Sequence, residues 1–228
     1  MERFLAIVEE LFNGFNNTLA LFALTLVFAL PLGLLLAFGS MSAFKPLKWF
    51  VKILVWIIRG TPLMLQILLV SFLPYYVFQV PTKELAADLG ISINDTMFLF
   101  VAIAFVINYA CYFSEIYRAG IEAIPRGQYE AGKVLGFSQS RIFSKIVLMQ
   151  VIRRILPPMS NEIITLVKDT SLAQVLGVID LLNAAKHAVN HYVILTPFIY
   201  ATVFYLIFNG FLTLLLGWFE KKLSYYKV

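Results

Sequence analysis

The chain has 228 residues, 61% hydrophobic and 14% charged, with a formal net charge of +5 and a mean hydropathy of +0.84. Soluble domains average about 45–50% apolar and about 25% charged residues, so an ordinary soluble fold is excluded. Several apolar runs reach the roughly 20 residues needed to cross hydrocarbon and no alternating barrel pattern is present, so the class is an all-α membrane protein; the single cysteine, Cys111, rules out an internal disulfide.

The first segment, residues 1–14, carries Glu2, Glu9 and Glu10 and lacks the basic start of a cleavable signal. Phe4, Ile7, Val8, Leu11 and Phe12 recur at helical spacing. They predict a short amphipathic helix at the membrane surface, with a frayed terminus as the alternative. The first span is expected from about Thr18 to Phe38, with a kink at Pro31 and Gly33. Gly33 and Ala37 make a small-xxx-small pair suited to close helix contact, although chance also yields such pairs in an Ala/Gly/Leu-rich helix.

The connection that follows carries Lys45, Lys48 and Lys52 and no acid. The second span, about Trp49 to Val77, is too long for one untilted helix. Arg59-Gly60-Thr61-Pro62, followed by Gln66, marks a break within it, with Arg59 snorkelling to the interface. The third span, about Thr96 to Tyr117, is interrupted by Asn108 and Glu115. A basic block follows over residues 118–154, and the fourth span starts at Pro157-Pro158 and ends near Gly177. A short polar stretch, Asp180 to His191, leads to the fifth span, about Tyr192 to Phe219, closed by Glu220, Lys221, Lys222 and Lys227. Trp49, Tyr192, Trp218, Tyr225 and Tyr226 fit an interfacial belt.

Five spans place the termini on opposite sides. The first connection, the basic block and the C-terminal tail hold most of the Lys and Arg and share one side. The positive-inside rule then puts the N-terminus outside and the C-terminus in the cytoplasm.

Two constellations carry chemistry. Glu162 and Asp169 are seven residues apart on the fourth span, so they share a face about 10 Å apart, with Thr165 between them. A lone carboxylate near mid-bilayer costs at least about 2.5–3.5 kcal/mol, so it must face a protein interior or a wet cavity. Glu162, Thr165 and Asp169, with Asn108 from the third span, are therefore the candidate solute site; an internal ion pair with Lys168 or Arg59 is the alternative. In the basic block, apolar residues alternate with charges and Gly136 separates two short amphipathic helices. Such a hairpin is a docking surface for a protein, or else a segment resting on anionic lipid. Gly127 to Val134 nearly matches a phosphate-binding loop, but Val134 cannot hold Mg²⁺ and no buried strand precedes it, so nucleotide binding is rejected. His187 and His191 are too few for a metal site, and no nucleophile–base pair appears. The chain reads as a transport subunit rather than an enzyme, and as a single domain over 1–228.

Together these residues resemble the transmembrane permease subunits of bacterial ABC importers, in the polar amino-acid branch, over nearly the whole chain. Arg59-Gly60-Thr61-Pro62 with Gln66 resembles the second-helix signature of that branch. Glu115, Arg118, Gly120, Ile121 and Gly127-Gln128 resemble the run into the coupling loop, and Glu130-Ala131 to Gly136 resembles the loop motif itself. Leu156-Pro157-Pro158, Asn161-Glu162 and Lys168 to Leu172 resemble the run after it. Gly132, where the family usually has Ala, and Met149, where it usually has Pro, depart from the pattern; Gly132 loosens the coupling helix by up to about 1 kcal/mol.

The resemblance implies the type I importer permease architecture of five transmembrane helices with cytoplasmic coupling helices. It implies a dimer of permeases, identical or closely related, in the bacterial cytoplasmic membrane. It assigns ATPase coupling to Glu130, Ala131, Gly136 and Arg141. ATP and Mg²⁺ sit on separate ATPase subunits, this chain carries no cofactor, and a solute-binding protein delivers an amino acid from outside. Two carboxylates on the site stripe favour arginine, lysine or histidine, with glutamine or cystine open. A proton-coupled secondary carrier is the alternative function; it would leave the basic block unexplained and normally shows internal repeats.

Overall fold

A computed structural model describes residues 1–223, with all their side chains except that of Glu2; Tyr225, Tyr226 and Lys227 lie outside the described residues. The chain is helical throughout its described elements. α5 (Ile93–Glu122) is the axis of the bundle: Val101, Phe105, Tyr109 and Phe113 on it are almost wholly buried. Its start is set by a capping box, in which Ser92 accepts from the Asp95 amide and Asp95 reaches back to Ser92.

α1 (Glu2–Met41) runs parallel to α5, Gly33 meeting Ala110 and Phe113, and is one unbroken helix of 40 residues, about 60 Å long. The expected surface helix over residues 1–14 is its first third. Ile7 and Leu11 are buried there against α9 (Leu181–Tyr192), which is why the amphipathic pattern appears so early. Asp180 caps α9 by accepting from the amides of Leu182 and Asn183. The stretch expected to be a polar connection is thus a packed helix, its Ala184, Ala185 and Ala188 allowing α1 to approach. Pro31 is carried inside α1 without ending it.

The second span is broken where Gly60 and Pro62 predict. α2 (Lys45–Arg59) and α3 (Leu63–Phe78) are turned by 110° at the break. α3 packs on α5, while α2 lies against the ends of α1 and α5. α4 (Thr82–Leu89) is a short surface helix before α5. After α5, the basic block forms α6 (Arg126–Val134) and α7 (Gln139–Ile142), separated by Gly136 at φ 76° as expected. Phe143–Val147 then forms one π-helical stretch that runs into α8 (Leu148–Asp169).

α8 corrects one expectation. Pro157-Pro158 does not start the helix but lies inside it. The carbonyls that two prolines leave unbonded are tolerated in a helix covered by neighbours. Past Asp169 the chain tightens into a 3₁₀ stretch, Thr170–Leu176, that stops at Gly177 with φ 75°. α10 (Thr196–Leu223) closes the bundle against α8 and α9.

By length and composition alone α1, α5 and α10 qualify as spans, or four spans if the α2–α3 pair is counted as one. α8 is the fifth. Arg153, Arg154, Glu162, Lys168 and Asp169 make it the polar member, and its neighbours α5 and α10 shield it. The architecture is the five-helix membrane bundle with coupling helices that the sequence motifs imply.

Candidate functional site

The polar residues gather on the faces that α2, α5 and α8 turn toward one another. Asp169 sits at the last turn of α8, and the Tyr109 hydroxyl donates to its Oδ2 at 2.7 Å. Tyr109 lies near the middle of α5, so the carboxylate is at mid-bundle depth. Glu162, two turns earlier, faces a cavity of about 580 Å³. Arg59, Tyr112, Glu115 and Arg154 also line it, so two cations and two carboxylates share one space. Neither Glu162 nor Asp169 makes an ion pair among the described residues. Lys168 and Arg59 act on these acids only from beyond 4 Å, Arg59 across the cavity it shares with Glu162.

Arg59 is engaged elsewhere. Its guanidinium lies 3.8 Å from the Glu115 carboxylate and 5.1 Å from the centre of the Tyr112 ring. Arg118 holds the same Glu115 through two hydrogen bonds of 2.6 and 3.1 Å and reaches Glu122 at 2.6 Å. Arg59 thus joins a charge ladder on α5 instead of simply snorkelling to water.

The break between α2 and α3 is built by Gln66. Its amide nitrogen donates to the carbonyls of Ile58 and Thr61 and to the Thr61 hydroxyl, at 2.7, 3.1 and 2.8 Å. Its carbonyl accepts from the Asn108 amide at 2.9 Å. Asn108 is 5% exposed, and its amide donates to this lock. Of the four sequence candidates, Glu162 lines the cavity, Asp169 bonds Tyr109, Asn108 bonds Gln66, and Thr165 is half-buried between the two acids. Arg154, Tyr109 and Tyr112 were not singled out from sequence. Only the apolar surroundings of Arg154 on a spanning helix could have signalled it.

At the basic end, Glu130 and Ala131 are exposed on α6, and Val134 and Leu135 at its close are 88% and 70% exposed. A charged helix thus ends in two bare aliphatics, neither of them part of the apolar cluster around Ile142. Arg141 stacks over Phe137 at 5.6 Å, and Ser138 caps α7. Gly136 has open space around it, and its positive φ lets the Phe137 amide reach back to the Gly132 carbonyl at 3.0 Å. A bulky residue at Gly136 would act through backbone strain, not collision.

Gly132 has a packing reason that propensity alone misses. It is buried, and a β-carbon there would stand 2.6 Å from Cγ1 of the wholly buried Ile142. Gly132 is the notch into which Ile142 fits, locking α6 onto the segment that leads into α8. Gly132→Ala should therefore lower the melting temperature, costing about 1–3 kcal/mol through overpacking despite its better helix propensity. Ile142→Val in the same chain should recover part of that loss. A melting temperature raised by Gly132→Ala alone would contradict the packing argument.

Comparison with known proteins places this geometry. The profile of the family described as binding-protein-dependent transport system inner membrane component matches residues 29–225. The chain is 35% identical over 216 residues to the L-cystine transport system permease protein TcyB of Bacillus subtilis, covering 94% of this chain and 86% of that protein. It is 33% identical over 218 residues to the arginine transport system permease protein ArtQ of the same organism, covering 95% and 94%. A putative glutamine transport system permease protein GlnP of Rickettsia bellii is 32% identical over 212 residues, covering 92% and 91%. Among solved structures, an amino acid ABC transporter crystallised with histidines superposes with a TM-score of 0.80 at 29% identity, over 96% of each chain. The MetNI methionine ABC transporter shares the fold, with a TM-score of 0.67 at 17% identity over 98% of this chain and 97% of that one.

Proposed function

The chain belongs to the family of binding-protein-dependent transport system inner membrane components and is the permease subunit of an amino-acid ABC importer, and from that premise we propose which solute it passes and how. Family membership sets aside a proton-coupled carrier. The proposed path runs along α8, past Asp169 and Thr165 to Glu162 and the cavity below it. The proposed cargo is a polar amino acid with a lean toward arginine, lysine or histidine, rather than glutamine or cystine. The single observation behind that lean is that Glu162 and Asp169, about 10 Å apart on one helix, carry no ion-pair partner among the described residues. A guanidinium or ammonium would supply it. Arg59 and Arg154 in the same cavity are within the space where the α-carboxylate of the cargo would be received.

Energy would enter at the basic end. An ATPase subunit would dock on Glu130, Ala131, Val134 and Leu135, with Gly136 and Arg141 holding the turn that shapes this face. Ile142 seated on Gly132 would carry a displacement of α6 into the π-helical stretch and α8. Rotation or shift of α8 would then change which side the acids face. ATP and Mg²⁺ belong to the ATPase, a second permease chain completes the path, and a solute-binding protein delivers cargo. The N-terminus would lie outside the cytoplasmic membrane and the basic end in the cytoplasm.

Uptake of labelled arginine, glutamine and cystine into cells tests the lean. Glu162→Gln and Asp169→Asn should each reduce arginine uptake at least about ten-fold, the factor expected for losing one charge-assisted hydrogen bond, while the ATPase still co-purifies. Arginine uptake intact in both variants, with glutamine or cystine uptake lost, would move the cargo to a neutral amino acid. Glu130→Ala should leave the cavity intact yet weaken ATPase association; unchanged co-purification and transport would remove the docking assignment.

A further inference from the structure

α2 has three distinct faces, and only one of them is buried in the bundle. At 100° per residue, Val51, Val55 and Ile58 fall within about 60° of one another. Val51 and Val55 are buried against Gly39 of α1 and Cys111 of α5. Lys45, Lys48, Lys52 and Arg59 form the next sector, again about 60° wide. The remaining face carries Trp49, Phe50, Ile53, Trp56 and Ile57, between 47% and 75% exposed, with Trp56 the most open. At 15 residues, α2 is about 22 Å long, short of the roughly 30 Å hydrocarbon layer, and the 110° turn keeps α3 from continuing it.

We propose that α2 is an interfacial helix of the bilayer leaflet at the basic end, and that Lys45, Lys48 and Lys52 form a binding row for the headgroups of anionic phospholipids. Trp49 and Trp56, two turns apart, seat the helix at the depth where amphipathic rings are held, with Phe50, Ile53 and Ile57 in the acyl region. No ammonium of Lys45, Lys48 or Lys52 lies within 4 Å of a carboxylate among the described residues, Lys52 acting on Glu115 only from a distance, so the row is open to an external anion. A phosphate headgroup fits this place because the lysine row borders the apolar face directly. A soluble partner bound to the row would leave two tryptophans and a phenylalanine in water. The row ends at Arg59, which reaches Glu115 and the cavity, so the headgroups would fix the helix that carries a cavity residue. The inference is independent of which amino acid is transported.

The chain supplies its own probe, because two of its three tryptophans are on α2. In a Trp218→Phe background, the full chain is reconstituted in phosphatidylcholine vesicles containing either dibrominated phosphatidylglycerol or dibrominated phosphatidylcholine, and tryptophan quenching is titrated. Half-maximal quenching should need roughly ten-fold less of the anionic lipid, a modest share of the about five-fold attraction per lysine near a surface. Lys45→Gln/Lys48→Gln/Lys52→Gln should erase that excess while leaving quenching by brominated phosphatidylcholine unchanged, which also reports that the helix remains in place. The triple Arg variant should keep the excess, and added salt should shrink it in the parent chain. Equal quenching by the two lipids, or an excess that survives the triple Gln change, overturns the proposal. Quenching by neither lipid would show the face covered by protein, such as a second copy of the chain, and overturns it as well.

Discussion

Gly33→Leu should abolish recovery of folded chain from detergent, the largest effect of any single substitution considered. A β-carbon at Gly33 would stand 2.9 Å from the Ala110 carbonyl oxygen, 2.9 Å from Cβ of Phe113 and 3.3 Å from the Ser114 amide nitrogen. These atoms are backbone or fixed to it, so no rotamer change relieves the contact. Ala37, one turn on, is wholly buried beside the same helix. α1 and α5 form the most extensive helix pair in the bundle, and separating them opens the core around Phe105, Tyr109 and Phe113. Ordinary overpacking costs about 1–3 kcal/mol; here two helices must part, so a loss beyond about 3 kcal/mol is expected. Gly210→Leu on α10 is the matched control, since nothing lies within 4 Å of that position. Fluorescence-detected size exclusion across a heat ramp measures both. If Gly33→Leu melted with Gly210→Leu, the close α1–α5 approach would be wrong.

Gln66→Leu should be the next most damaging change, for a different reason. It preserves apolar volume but removes three hydrogen bonds that close the α2–α3 break and the one that ties the break to α5. Hydrogen bonds within membranes average about 0.6 kcal/mol and reach about 1.7, so a loss of roughly 2–4 kcal/mol follows. Transport should fall with it, because the freed break also carries Arg59 at the mouth of the cavity. Asn108→Leu alone should cost less, leaving only one carbonyl of Gln66 without its partner. In Gln66→Leu/Asn108→Leu neither amide is orphaned, so the double variant should be more stable than the sum of the single changes allows. Strict additivity in that cycle would mean the two amides do not interact.

Asn108 also shows where sequence reading succeeds and where it stops. As a polar residue in an apolar span it reads as part of a solute site, and in the fold it is 5% exposed with its amide donating to Gln66. That its partner is Gln66, 42 residues earlier, was not visible, because the pairing depends on how far α3 rotates against α5. The same holds for Gly132. Propensity marks it as a weak point of α6, yet Ile142, ten residues on, makes it the fitted one. Arg59 had a plausible default in the interface, and a ladder through Glu115 to Arg118 replaced it.

The membrane class, the break at Gly60-Thr61-Pro62, the helical hairpin around Gly136 and the acid stripe of α8 all follow from local features. Hydropathy, special backbone angles and helical spacing are properties of a few neighbouring residues, and they survive whatever the rest of the chain does. The 110° turn of α2, the run of α8 through two prolines, the merging of residues 1–14 into one 40-residue helix and the convergence of Arg59, Arg154, Glu115 and Glu162 do not. Each is settled by which faces of distant helices meet. That choice is made by close packing of side chains across helices, information that no window along the chain contains.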